Sequence, residues 1–206
     1  MAGPQLSPYE AVLGARIKEL HPRLQQYFAT IPPGHVGIGA GVFTHAGTPR
    51  RWLWPVIRLL EVRGVVFAGW ARDVPFRIRN VTVDGRAAAT REFDLPSRTF
   101  TMTDDVARSP GGGVVDRLGH PATVAATFDV DTAAGALVLT SRTVGFRLGR
   151  LQVRIPRPVA PTIRLRESWD ADRNQQRVDL TVDLPLLGRV YGYGGHFTYR
   201  IEEDRP

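Results

Sequence analysis

Apolar and polar residues alternate along most of the chain after residue 65, and this period of two predicts β-strands. The alternating segments are 76–83, 86–93, 99–103, 124–130, 137–146, 163–169, 178–184 and 191–201. Because short turns separate these segments, we expect about nine to eleven strands in a curved antiparallel sheet or a partly closed β-barrel. The predicted fold class is therefore mainly β (α+β).

The N-terminal part of the chain carries a helical pattern instead. Ser7, Pro8 and Glu10 form a capping box with a proline in the first turn. Apolar residues then recur at helical spacing as far as Leu20, and a short second helix is expected over 24–28. A third helix is predicted over 52–60, with Pro55 breaking it into two short turns. We thus expect two or three helices on the N-terminal side.

The chain shows no internal repeat and no linker, so we interpret residues 1–206 as a single domain. Within it, residues 1–33 form a helical N-terminal segment and residues 34–206 are mainly β. Asp84-Gly85 is a two-residue hairpin signal between two of the strands. Glycines alternate at 37, 39 and 41, which favours close packing of another element on that strand face rather than a nucleotide loop. No cofactor is expected.

Composition excludes several classes of function. The net charge is +7, but Lys18 is the only lysine and the arginines are scattered without a basic stripe, so nucleic acid is not an expected partner. The chain has no cysteine and no closely spaced histidine pair, so we expect no metal site. Charged residues interrupt the apolar stretch 52–70, so no transmembrane segment is predicted, and we expect a cytoplasmic protein.

Three charged residues occupy strand positions whose side chains are predicted to point inward. Residues two apart on a strand share a face, so Arg91 lies on the face of Phe93, Arg142 on that of Val144, and Glu167 on that of Trp169. Three interpretations stay open. The charges could form a structural Arg–Glu pair, an arginine could anchor an anionic ligand, or Glu167 could act as a general acid or base.

Aromatic residues complete the set of candidate site residues. Trp169 and Tyr193 lie on strand segments that we expect to contribute to a ligand cavity. Trp52 and Trp54 form a second cluster, which would cover one open end of the sheet, form a portal, or touch a membrane surface or partner domain. The chain has no G-x-S-x-G elbow, so we assign no catalytic residue.

Several short motifs spread over nearly the whole chain carry a family resemblance. They are the segment from Pro8-Tyr9 to His21-Pro22, Gly39-x-Gly41-x-Phe43, Asp73-Val74-Pro75-Phe76, Arg91-x-Phe93 and Leu186-Leu187-Gly188…Tyr193-x-Gly195-x-Phe197. In these motifs the chain resembles a bacterial family, number 4166 among the domains of unknown function. The resemblance implies a discrete module, found alone or fused to saccharopine-dehydrogenase-like or membrane segments. Ala89 stands where that family often has Trp.

The expected function is a non-catalytic module that binds a small apolar or anionic, amphipathic ligand in an internal cavity. An interaction domain that docks on an oxidoreductase partner is the alternative. A cofactor-free hydrolase or isomerase that uses Glu167 is the third hypothesis.

Overall fold

The computed structural model describes residues 5–148 and 151–204 and contains eleven antiparallel strands in one sheet. The strands are β1 His35–Gly47, β2 Trp70–Val83, β3 Arg86–Leu95, β4 Arg98–Arg108, β5 Val114–Leu118, β6 Val124–Ala133, β7 Ala136–Leu148, β8 Leu151–Arg154, β9 Thr162–Asp170, β10 Gln175–Leu184 and β11 Gly188–Glu203. Each strand predicted from alternation is present. The sequence pattern missed β5 and β8, which are the two shortest strands.

The sheet closes on itself. Its strand order is β6-β5-β4-β3-β2-β1-β11-β10-β9-β7, and β6 also pairs with β7, so ten strands form a complete barrel. The eleventh strand, β8, folds back on the end of β7. The prediction of a mainly β, barrel-like fold is confirmed, and closure leaves no free edge among the ten barrel strands.

Short helices cover the two ends of the barrel. Helix α1 spans Pro8–Leu13 and helix α2 spans Pro22–Phe28, with a 3₁₀ segment, Gly14–Glu19, between them. Helix α3, Trp54–Glu61, lies between the end of β1 and the start of β2. We call this end of the barrel the α3 end and the opposite one the α1 end.

The sequence signals for the helices are largely confirmed. Ser7 and Glu10 form the predicted capping box of α1. The helical spacing that runs on to Leu20 does not extend α1, because Gly14 takes a positive φ of 54° and the chain tightens into 3₁₀ turns. Pro55 lies in the first turn of α3, where its missing N–H removes no helical hydrogen bond. A 3₁₀ turn, Arg51–Leu53, precedes α3, so the predicted division into two pieces lies between residues 53 and 54.

An aromatic cluster fills the barrel interior beside β1, β2, β3 and β11. The rings of Phe43 and Phe76 stack at 4.3 Å, and Phe93, Tyr193 and Phe197 pack around them. The alternating glycines of β1 make this packing feasible. A Cβ at Gly41 would overlap Phe197, in agreement with the predicted close approach.

The hairpin between β2 and β3 has the predicted geometry. Asp84 and Gly85 have φ angles of 50° and 69°, as a type I′ turn requires. This turn lies at the α1 end.

Among the described residues, no helix is long and apolar enough to span a bilayer.

Candidate functional site

The half of the barrel interior that the aromatic cluster leaves open forms a cavity of about 360 Å³. This volume lies within the range of about 300–1,000 Å³ that is typical of small-molecule sites. The cavity extends from the helices of the α1 end to helix α3. Toward the α3 end its lining is apolar and consists of Leu53, Ile57, Leu60, Val65, Phe146, Ile155, Ile163, Val182, Leu184 and Val190.

Polar side chains are concentrated in the part of the cavity beneath α1 and α2. Arg91, Asp104, Asp116 and Glu167 all line it. The charges of Asp116, Glu167 and Arg91 all act on the pKa of the Tyr9 phenol on α1. These groups therefore lie close beneath the helices that cover this end of the barrel. The cavity is thus amphipathic along its length, with an apolar half and a polar end.

Arg91 and Asp104 form a buried ion pair between neighbouring strands. The Arg91 guanidinium on β3 forms an ion pair with the Oδ1 atom of Asp104 on β4, and the Asp104 side chain is only 2% exposed. The Arg91 side chain keeps 22% of its surface accessible and lines the cavity. The structure thus contains a buried ion pair of Arg91, but its carboxylate is Asp104, and the Arg–Glu pair considered from the sequence is not formed by Glu167.

Glu167 lies inward, as its strand phase predicts, and is 5% exposed. Gln176 on the adjacent strand β10 donates a hydrogen bond from Nε2 to Glu167 Oε2. Burial raises the pKa of Glu167 to about 7, against the opposing effects of the Gln176 hydrogen bond and the Arg91 charge. At neutral pH this carboxyl can hold or release a proton toward a group in the cavity.

Asp116 on β5 is the third carboxyl of the polar end. Burial raises its pKa, and the positive charge of Arg91 limits the rise. Its Oδ1 atom is buried and has no hydrogen-bond partner in the protein. An unpaired buried acceptor is costly, so this atom is suited to receive a hydrogen bond from a ligand.

The phenol of Tyr193 lies at the same polar end. Tyr193 lines the cavity, and burial raises its pKa to about 12, while Arg91 lowers it and Glu167 raises it further. The structure thus places the candidate residues Arg91, Glu167 and Tyr193 in the lining of one cavity. The phenols of Tyr9, Tyr27 and Tyr193 all stay protonated at neutral pH.

The predicted inward orientation of Arg142 is wrong. Its side chain is 41% exposed and pairs on the outer surface with Asp129, which lies on β6. The cause is a β-bulge, because Thr143 pairs with Thr127 and Ser141 with Phe128, which leaves Arg142 as the extra residue. Leu139 and Val144 therefore both point inward although five positions separate them.

Three of the four tryptophans are candidate site residues, and the structure places none of them in the cavity lining. Trp169 stacks on His21 with a centroid distance of 5.1 Å, and Arg23 lies over its ring. The Trp54 indole donates a hydrogen bond to the Thr48 carbonyl at 3.3 Å, and Trp52 is 57% exposed. The same segment contributes Leu53, Ile57 and Leu60 to the lining.

Sequence reasoning missed the two aspartates of the polar end. The signal was present, because Phe100, Met102 and Asp104 alternate along β4, and Val114 and Asp116 alternate along β5. The predicted strand ended at residue 103, one position too early to include Asp104.

In the described part of the chain, no group of three or more His, Cys, Asp or Glu side chains is arranged to hold a metal ion.

Fold and cavity together define the class of protein: a closed antiparallel β-barrel with an amphipathic interior of ligand size. The model of the family described as "Domain of unknown function (DUF4166)" matches residues 20–197, and the chain belongs to that family. No curated protein and no solved structure matches the chain.

Proposed function

We propose that the barrel binds a small amphipathic molecule, with its apolar body toward the α3 end and its polar group under α1 and α2. The observation that carries this proposal is the cavity itself, which joins an apolar half to the side chains of Arg91, Asp116 and Glu167. A barrel whose only need was stability would gain by filling this space, since cavities cost stability.

The charges at the polar end favour a ligand group that donates hydrogen bonds. Arg91 is already neutralised by Asp104, and the two further carboxyls, Asp116 and Glu167, have no arginine of their own in the cavity lining. An anionic group would be repelled there by the negative charge of Asp116 and Glu167. A hydroxyl would donate its one hydrogen bond to Asp116 Oδ1 or to Glu167, and an amino group has donors for both, so we favour this chemistry over an anionic head group.

A comparison of three ligands of equal chain length tests this proposal. We expect 1-decanol and decylamine to bind at least about tenfold more tightly than decanoate at pH 7.5, a difference of about 1.4 kcal/mol. Isothermal titration calorimetry measures the three affinities, and native mass spectrometry of freshly purified protein reports any ligand that is retained. Tighter binding of decanoate would reassign Arg91 as an anion anchor, and absence of binding by all three would refute the proposed function.

A further inference from the structure

Helix α3 and the turn before it are apolar on two faces. Leu53, Ile57 and Leu60 line the cavity from inside the barrel end. The opposite face exposes Trp52 by 57%, Val56 by 60%, Leu59 by 72% and Val62 by 79%. This segment therefore separates the cavity from the outside while presenting an apolar stripe to the surroundings.

Other exposed apolar residues gather at the same end. In the turn between β10 and β11, Leu186 is fully exposed and Leu187 is 42% exposed. Arg50, just before α3, donates hydrogen bonds to the Leu187 and Arg189 carbonyls and so holds this turn against the α3 segment. Leu151 of β8, at the end of β7, is 61% exposed. Within the described ranges, ten of the thirteen exposed large apolar side chains lie at the α3 end. Val83 is one of the three exceptions and lies at the α1 end.

Positive charge surrounds this apolar surface. The segment 48–69 contains four arginines and a single acidic residue, Glu61. The Glu61 side chain is only 10% exposed, because it pairs with Arg58 and Arg98 and accepts a hydrogen bond from the Ala68 N–H. The Arg50 guanidinium bonds to carbonyl oxygens, which carry no net charge.

We propose that the α3 end of the barrel docks on an anionic lipid bilayer. Apolar side chains on a short helix with flanking arginines are the features by which interfacial helices insert at an anionic membrane surface. The apolar residues come from three separate segments at one end of the barrel, so a single extended surface can contact all of them. This inference does not depend on the proposed ligand.

Vesicle co-flotation tests the docking proposal. The full chain is mixed with vesicles of phosphatidylcholine alone, or of phosphatidylcholine and phosphatidylglycerol in equal parts. We expect binding to the anionic vesicles that weakens as salt is raised, and at least tenfold weaker binding of the Val56→Ser/Leu59→Ser variant. The matched control is Val42→Ser/Val83→Ser, because Val42 and Val83 are exposed by 48% and 54% away from the α3 end. We expect this control to bind like the wild type.

Three results would overturn the proposal. The first is absence of binding to anionic vesicles, and the second is equal loss of binding in both double variants. The third is a dimer that forms without vesicles and that only Val56→Ser/Leu59→Ser abolishes, which would assign the surface to a second copy of the chain. Circular dichroism of both variants checks that the barrel is retained. Ligand affinities in solution are measured without vesicles, so failure of docking is distinguishable from failure of ligand binding.

Discussion

Asp104→Ala is expected to lower the free energy of unfolding by about 3 kcal/mol, the lower end of the cost of breaking a buried ion pair. The substitution leaves the Arg91 guanidinium inside the barrel without the carboxylate of its ion pair, which is 2% exposed in the intact protein. Asp116 and Glu167 lie near enough to Arg91 to compensate in part, which is why we expect the lower end of that range. Urea denaturation at pH 7 measures the change.

Asp129→Ala is the matched control for Asp104→Ala. It also removes the carboxylate partner of one arginine on a neighbouring strand, but its side chain is 55% exposed. Exposed ion pairs contribute about 0–1 kcal/mol, so we expect a small change. Equal effects of the two substitutions would mean that Arg91 and Asp104 are solvated. The polar end of the cavity would then not be shielded from water, contrary to our account.

Glu167→Gln is expected to stabilise the protein at pH 8, by about 2–3 kcal/mol. The folded state raises the pKa of Glu167 from 4.5 to about 7, so the folded protein binds this proton more tightly than the unfolded chain. The contribution of Glu167 to stability therefore falls as pH rises from 4.5 to 7 and is least favourable above pH 7. Gln cannot ionise, and its side-chain oxygen can still accept the hydrogen bond from Gln176.

The pH dependence of that gain is the informative measurement. The stability difference between Glu167→Gln and the wild type should shrink as pH falls from 8 toward 4.5, as followed by urea denaturation at several pH values. Glu92→Gln provides the control, because Glu92 is 42% exposed, lies on a strand and pairs with Arg77 on the surface. We expect little effect from it at pH 8, because exposed ion pairs contribute about 0–1 kcal/mol. A destabilised Glu167→Gln variant at pH 8 would show that the Glu167 carboxylate is held by a positive charge.

The alternation of apolar and polar residues predicted most of the strands and the orientation of several of their side chains. The positions of Glu167 and Arg91 follow from period two alone, since each lies in a regular strand without interruption. The capping box of α1 and the Asp84-Gly85 turn follow from local chemistry, which the barrel does not override.

What the sequence could not provide are the contacts that depend on register and closure. The bulge at Arg142 shifts the phase of β7 by one residue, and no residue in that strand signals it. The pairing of β6 with β7 closes the barrel, and it brings Asp116 of β5 and Glu167 of β9 to one cavity although they are fifty-one positions apart in the chain. Such long-range proximity leaves no local pattern.

Calorimetric titration of 1-decanol into the wild type and into Leu165→Trp tests the central claim, ligand binding inside the barrel, most directly. Leu165 lines the cavity two residues before Glu167, so an indole there would occupy the space proposed for the ligand. Val42→Trp, at an exposed position of β1, is the control for an added tryptophan. We predict saturable binding to the wild type and to Val42→Trp, and none to a folded Leu165→Trp. Undiminished binding to Leu165→Trp would place the ligand outside the barrel and contradict the proposed function.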